Sequence, residues 1–174
     1  GVDRERGDPR VGVRDLPQRR GKAECLNEAA AAASGEVLLL TDVRQKLSPT
    51  ALRELVANLA DPTVGAVSGE LHLENVRTGF AQGVDAYWRY EKLIRLAESH
   101  SGSTIGVSGA LYAMRRELFA PLPPGTVLDD VLIPMRVAAA GRRVVFDPRA
   151  LAWAQPSQHP AEDRRRKLRT PAGD

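Results

Sequence analysis

The chain has 174 residues, 43% hydrophobic and 27% charged, a composition in the soluble globular range that excludes wholesale disorder and leaves room for one core. Its longest apolar runs, such as Val37 to Leu40 and Val137 to Ala140, fall far short of the roughly 20 residues that a spanning helix needs, and a lone cysteine, Cys25, excludes an internal disulfide and a cysteine zinc cluster. The net charge of +3 is local: residues 161–174 hold five basic and three acidic groups, which leaves a nearly neutral 20 against 19 before them.

In chain order, Gly1 to Arg10 shows no apolar stretch behind a basic flank and no initiator methionine. The expectation is therefore a truncated chain without a visible secretory signal. Val11 to Leu16 reads as a short strand, and Gly21 to Ser34 as an alanine-rich helix closed by Gly35. Cys25 within that helix has no histidine partner by motif and reads as a small buried apolar side chain rather than a nucleophile. Val37 to Thr41 is hydrophobic on both faces, the pattern of a strand buried between helix layers, and Asp42 stands at its carboxyl end. Ser48 and Pro49 form an N-cap and first-position pair, and Leu52, Leu55, Val56 and Leu59 follow at helical spacing before Asp61 and Pro62. Val64 to Glu74 is extended, and a long polar and aromatic helix is expected from about Thr78 to Ser99. Glycines and serines from Ser101 to Gly109 make a loop before a strand at Ala110 to Met114, and Pro121, Pro123, Pro124 and Gly125 mark another loop. Asp129 and Asp130 stand where it enters a helix, Val131 to Ala140, ended by Gly141; Arg143 to Phe146 and Ala150 to Ala154 are two short strands. The alternation is that of one α/β domain over residues 1–174, without internal repeats.

Ligand sites of open α/β sheets gather at the carboxyl ends of strands. Asp42 there either holds a hard divalent cation or a ribose hydroxyl, or serves a turn. Asp129 and Asp130 either raise one another's pKa, which suits a general base, or cap a helix. The Gly102 to Gly109 stretch lacks the Lys-Ser or Lys-Thr of a P-loop, which leaves a surface loop or a close backbone approach to sugar or phosphate. Tyr87, Trp88 and Tyr90 form either a sugar-stacking platform or core. His72, His100 and His159 have no zinc spacing. The run Arg164, Arg165, Arg166, Lys167 and Arg169 suits phosphate, nucleic acid or an anionic membrane, or is a solvated terminus; with no basic stripe elsewhere, nucleic acid is not an expected partner.

Taken together, Arg20-Gly21-Lys22-Ala23 with Leu26-Asn27, Leu39-Leu40-Thr41-Asp42, Val67-Ser68-Gly69, Tyr87-Trp88-Arg89-Tyr90-Glu91, Ser108-Gly109-Ala110 with Arg115-Arg116, Asp129-Asp130, and Arg166-Lys167-Leu168-Arg169-Thr170 with Ala172-Gly173 make the chain resemble the inverting glycosyltransferases of family 2 over about residues 10–173. The resemblance implies a GT-A fold, with a Rossmann-like, mixed and mainly parallel sheet flanked by helices and incomplete at its N-terminus. It implies transfer of a sugar from a nucleotide-diphosphate donor to a saccharide or lipid-linked acceptor. Asp130 then corresponds to the general base with Asp129 beside it. Asp42 corresponds to the first aspartate of Asp-x-Asp, which holds the donor diphosphate through manganese or magnesium and touches the ribose. Lys22 lies near the nucleotide, Ser108 and Gly109 beside the donor sugar, and Arg166 and Arg169 steady the diphosphate. A cytoplasmic setting follows, at the inner membrane face where the intact protein associates with the membrane. Two departures stand out. Arg44 replaces the second aspartate of Asp-x-Asp, and the family's first strand and nucleobase-holding acidic residues would precede Gly1. A fragment with an exposed sheet edge is the expectation, and a non-catalytic GT-A-like remnant is the alternative to an enzyme.

Overall fold

A computed structural model describes residues 8, 11–13, 20–43, 45–73, 93–95, 97–99, 102–104 and 106–154. Alanine-rich Lys22–Ala32 forms helix α1, as local propensity dictates. It docks through Ala23, Leu26 and Ala30 and through the Asn27 amide, which donates to the Leu122 carbonyl (2.9 Å) and accepts from the Leu122 N–H (2.7 Å). This paired bond fixes α1 against the proline-rich loop that leads to the aspartate pair. The helix ends at Ala33, not at Gly35, and Cys25 is exposed, not buried as expected. Its position follows from the helix face: Ala23 points to the sheet, so the residue two positions on turns away from it.

Strands β1 (Val37–Thr41) and β2 (Gln45–Leu47) precede helix α2 (Ala51–Asn58). Ser48 and Pro49 belong to a turn, Ala51 N–H to Ser48 O (3.0 Å), and Thr50 is the N-cap, without a side-chain cap bond. Strand β3 (Val64–Leu73) is followed by β4 (Leu111–Arg115), a 3-10 turn at Arg116–Leu118, helix α3 (Asp129–Ala139) and β5 (Arg143–Ala154). Residues 11–13 are not strand; the rest of the strand expected at Val11 to Leu16 lies outside the described residues. Of the helix expected at Thr78 to Ser99, residues 93–95 and 97–99 are helical and the remainder lies outside them, as do Tyr87, Trp88 and Tyr90.

The five strands form one mixed sheet in the order β1-β4-β3-β5-β2. The mainly parallel sheet expected from the sequence is not what these strands form: β1-β4, β3-β4 and β2-β5 are antiparallel, and only β3-β5 is parallel. β4 runs against both its neighbours, and β2 runs against β5 at the other edge. Among the described strands β1 ends the sheet, and of its residues only Leu38 is buried, so the strand is not sandwiched along its whole length. β5 is one strand rather than two. Its ladder to β3 skips residues 147–150 between Ser68↔Phe146 and Glu70↔Leu151. The bulge depends on Gly69, where an added Cβ would lie 2.6 Å from the Ala150 carbonyl oxygen and 2.8 Å from Leu111 Cδ2. The Asp-Pro-Arg sequence reads locally as a turn, and long-range pairing overrides it.

Apolar residues divide between the two faces of the sheet. On the side of α1 and α3, Ile133 and Val137 of α3 pack with Leu38, Ala66, Val107, Tyr112, Met114 and Val144; on the other side, Leu55 of α2 packs with Leu59, Val67, Leu111, Ala113 and Ala152. Each fully buried Leu, Ile or Val contributes about 1.5–3 kcal/mol relative to exposure. Arg115 holds the end of α2, donating to the carbonyls of Leu59 (2.6 Å) and Asp61 (3.1 Å), where a cation also meets the negative end of the helix. No helix among the described residues is long and apolar enough to cross a membrane.

Candidate active site

Asp129 and Asp130 open α3, but not as caps. Leu128 is the N-cap and no side chain bonds there; both aspartates occupy the first turn, where the helix dipole favours negative charge. Asp129 is 3% exposed, and its Oδ2 meets Lys22 Nζ at 2.9 Å. Lys22 is the first residue of α1 and half exposed, so two helix N-termini converge on one ion pair. The Asn27 bond to the loop before α3 sets that convergence.

Pro134 arranges the second aspartate. A proline inside a helix has no N–H for the carbonyl four residues back, here that of Asp130. That carbonyl instead accepts the N–H of Val107 at 3.1 Å. The glycine-serine loop is thereby docked against Asp130. Val107 is buried, the Ser108 N–H donates to the buried Ser68 Oγ at 2.8 Å, and Gly109 leaves space so tight that a Cβ there would lie 3.3 Å from Asp130 Oδ2. On the other side, Thr41 Oγ1 donates to the Ala110 carbonyl at 2.8 Å, which brings the end of β1, and with it Asp42, to the same loop.

The charges agree with this clustering. Burial, then the charge of Asp129 and more weakly that of Asp42, holds the Asp130 carboxyl above its ordinary 3.8, while Lys22 and the Asp130 backbone N–H pull it down. A partly buried carboxyl held up in this way, with a like charge beside it, is the arrangement that suits a general base. Tyr112 on β4 is 1% exposed, and its hydroxyl has no hydrogen-bond partner among the described residues. Burial pushes its ionisation up, and the charges of Asp129 and then Asp130 push it further.

The structure therefore brings together Lys22, Asp42, Ser108, Gly109, Asp129 and Asp130. Arg44, Arg166 and Arg169 lie outside the described residues. The sequence reading missed the Lys22–Asp129 pair, the carbonyl freed by Pro134, and Tyr112. The last two had signals: a proline five residues into a helix, and one hydroxyl in the apolar run Ala110 to Met114. For a cation, no group of three or more His, Cys, Asp or Glu that could hold it occurs among the described residues. The exposed Asp42 carboxylate at the loop suits a hard cation that takes most of its ligands from phosphate and water.

The family model described as glycosyltransferase-like family 2 matches residues 3–173. A mannosyltransferase from Pyrobaculum calidifontis, solved with GDP-mannose and Mn2+, is 30% identical and superposes with a TM-score of 0.74 over 91% of this chain and 44% of that one. Glucosyl-3-phosphoglycerate synthase from Mycobacterium tuberculosis, solved with Mn2+, UDP and phosphoglyceric acid, is 23% identical with a TM-score of 0.55 over 98% and 56%, a likeness of fold. An N-acetylglucosaminyltransferase of Rhizobium sp. (strain N33) is 26% identical over 163 residues, covering 86% of this chain. The chain spans only 36% of that relative's length. With a match over almost its whole length and a mixed sheet of the GT-A kind, the chain belongs to glycosyltransferase family 2.

Proposed function

We propose that the protein is an inverting glycosyltransferase that moves a sugar from a nucleotide-diphosphate donor to a saccharide or lipid-linked acceptor, with Asp130 as general base. The carrying observation is the Asp130 carboxyl, held above its ordinary value beside the ion-paired Asp129 and opposite Gly109. The acceptor hydroxyl loses its proton to Asp130 as its oxygen forms a bond to the anomeric carbon. The bond from that carbon to the diphosphate breaks on the opposite face, and its electron pair leaves with the diphosphate. Gly109 keeps the space in front of the base open, and Ser108 and Gly109 line the donor sugar. Asp129 keeps a negative charge next to the base, which favours proton uptake, and Lys22 limits that effect. A bound manganese or magnesium ion, held by Asp42 and diphosphate oxygens, would neutralise charge on the leaving group. Arg166 and Arg169 are assigned to the same diphosphate. The reading carries a cytoplasmic setting, at the inner membrane face if the acceptor is lipid-linked.

Arg44 in place of a second metal-binding aspartate favours one other reading, a family member that no longer transfers sugar. Transfer rate and nucleotide binding of the intact protein, measured for the unmodified form and for Asp130→Asn and Asp129→Asn, separate these. The expected result is that Asp130→Asn binds nucleotide normally and loses about 10²- to 10⁴-fold in turnover, the usual contribution of a positioned base, while Asp129→Asn is milder. Near-normal transfer by Asp130→Asn, or inactivity confined to Asp129→Asn, contradicts the assignment; no transfer by the unmodified protein supports the remnant.

A further inference from the structure

Pro134 breaks a local rule beside the candidate base. It is the sixth of the eleven residues of α3, past the first turn where proline is tolerated, and proline is the least favourable residue a helix interior can hold. A rule broken next to reactive groups calls for a compensating gain, and the glycine-serine loop supplies one. That loop is tied to the sheet on both sides of Val107: the Thr104 N–H donates to the Val144 carbonyl at 2.8 Å, Ser103 Oγ accepts the Val144 N–H at 2.9 Å, the Ser108 N–H donates to Ser68 Oγ at 2.8 Å, and the Ala110 carbonyl accepts Thr41 Oγ1 at 2.8 Å. None of these four bonds touches α3. The tie to the base helix is the Val107 N–H, which reaches the Asp130 carbonyl at 3.1 Å. Gly106 fits against the same turn, where an added Cβ would lie 3.7 Å from the Asp130 carbonyl oxygen and 3.9 Å from Val131 Cγ2.

We propose that Pro134 is a positioning residue for the base: it turns the Asp130 carbonyl out of the helix to the Val107 N–H, and so locks the loop that carries Ser108 and Gly109 to the turn that carries the Asp130 carboxyl. Proline acts here in two ways. It withholds the N–H that the Asp130 carbonyl would otherwise accept, and its ring crowds that carbonyl away from the helix axis. Both ends of Asp130 then face the loop. Its carbonyl holds Val107, and its Oδ2 stands 3.3 Å from where a Gly109 Cβ would be. An alanine at position 134 would offer its own N–H to the carbonyl within the helix. The Val107 N–H belongs to a residue only 5% exposed, so loss of its partner leaves a buried donor unsatisfied, and the loop must shift to satisfy it.

The inference rests on Asp130 as base, and the test keeps the two apart. Pro134→Ala keeps the helix and restores only its missing N–H and the lost ring volume's slack. Amide hydrogen exchange of this chain, read by NMR, should show the Val107 N–H exchanging about tenfold faster in Pro134→Ala, as a local opening of the loop requires, with the amides of β4 protected as before. In the intact protein at saturating acceptor, kcat should fall about tenfold, because the base and the wall of the donor sugar lose their mutual position. The KM for the nucleotide sugar should rise about threefold while the bare nucleoside diphosphate binds as before, a split that marks loss of contact to the sugar. Unchanged Val107 exchange overturns the proposal whatever the assay gives, and so does faster exchange with kcat and KM unaltered, which is the result of a proline that serves packing alone. Asp130→Asn keeps the backbone carbonyl and should lose turnover with Val107 still protected. Turnover retained by Asp130→Asn removes the base, and with it this role for Pro134.

Discussion

Two aspartates, one on each side of the sheet, are equally buried but differently partnered. Asp147, in the β5 bulge on the α2 side, is 4% exposed. It accepts Asn58 Nδ2 at 2.6 Å and the Arg149 backbone N–H, Nε and Nη2 at 2.9, 3.0 and 2.7 Å. Burial alone would raise its pKa, but the Arg149 and Asn58 hydrogen bonds outweigh it and hold the carboxyl below the ordinary 3.8. Asp129, buried to the same degree, has a half-exposed Lys22 on one oxygen and a second carboxyl beside it that is pushed upward. The comparison teaches that burial does not mark function here. The satisfied aspartate builds the bulge; the crowded pair keeps an electrostatic imbalance of the kind that active sites retain.

The largest expected difference comes from breaking the satisfied side. Asp147→Ala removes four hydrogen bonds at once, and a loss of about 3 kcal/mol in chemical denaturation is expected, with turnover of the folded protein unchanged. The pH dependence has a definite sign. A carboxyl whose folded-state pKa is lowered contributes stability above its unfolded value and loses it as pH falls through the folded value. The gap between Asp147→Ala and the unmodified chain should therefore narrow in acid, and a gap constant with pH would mean that packing, not charge, was lost.

Gly109→Ala sharpens the other side. The new Cβ would stand 3.3 Å from Asp130 Oδ2, so the carboxyl must shift by a few tenths of an ångström, and displacement of a reacting group is costly. About a tenfold fall in kcat is expected, with a melting temperature changed by only a few degrees. A variant as active as the unmodified enzyme would show that the loop does not define the reacting space.

Lys22→Met gives the smallest of the three effects. It removes the cation that pulls Asp130 down, and the acid limb of the pH–rate profile should move to higher pH. A downward move would mean that Lys22 acts on the base in some other way.

How much of this was legible follows from how local each feature is. The strand at Val37–Thr41 was read to the residue, and that from Val64 was read correctly as far as the described residues reach, Leu73, because a short apolar run carries its own signal. The aspartates at the entry to α3 were legible because loop and helix chemistry meet there. The Lys22–Asp129 contact joins residues far apart in the chain, and no periodicity announces it. Cys25 was misread because an alanine-rich helix offers little amphipathic contrast to tell its faces apart. β5 was divided in two because Asp147-Pro148-Arg149 has turn composition, while the partner that keeps it in the sheet, Gly69, lies far upstream.

The most direct test of the contrast between the two sides is a ¹³C carboxylate titration of this chain with Asp130 and Asp147 assigned. The midpoint of Asp130 should lie above the ordinary 3.8 and that of Asp147 below it. If Asp130 titrates at or below the midpoint of Asp147, the crowded pair carries no electrostatic imbalance and the physical basis for Asp130 as base is gone.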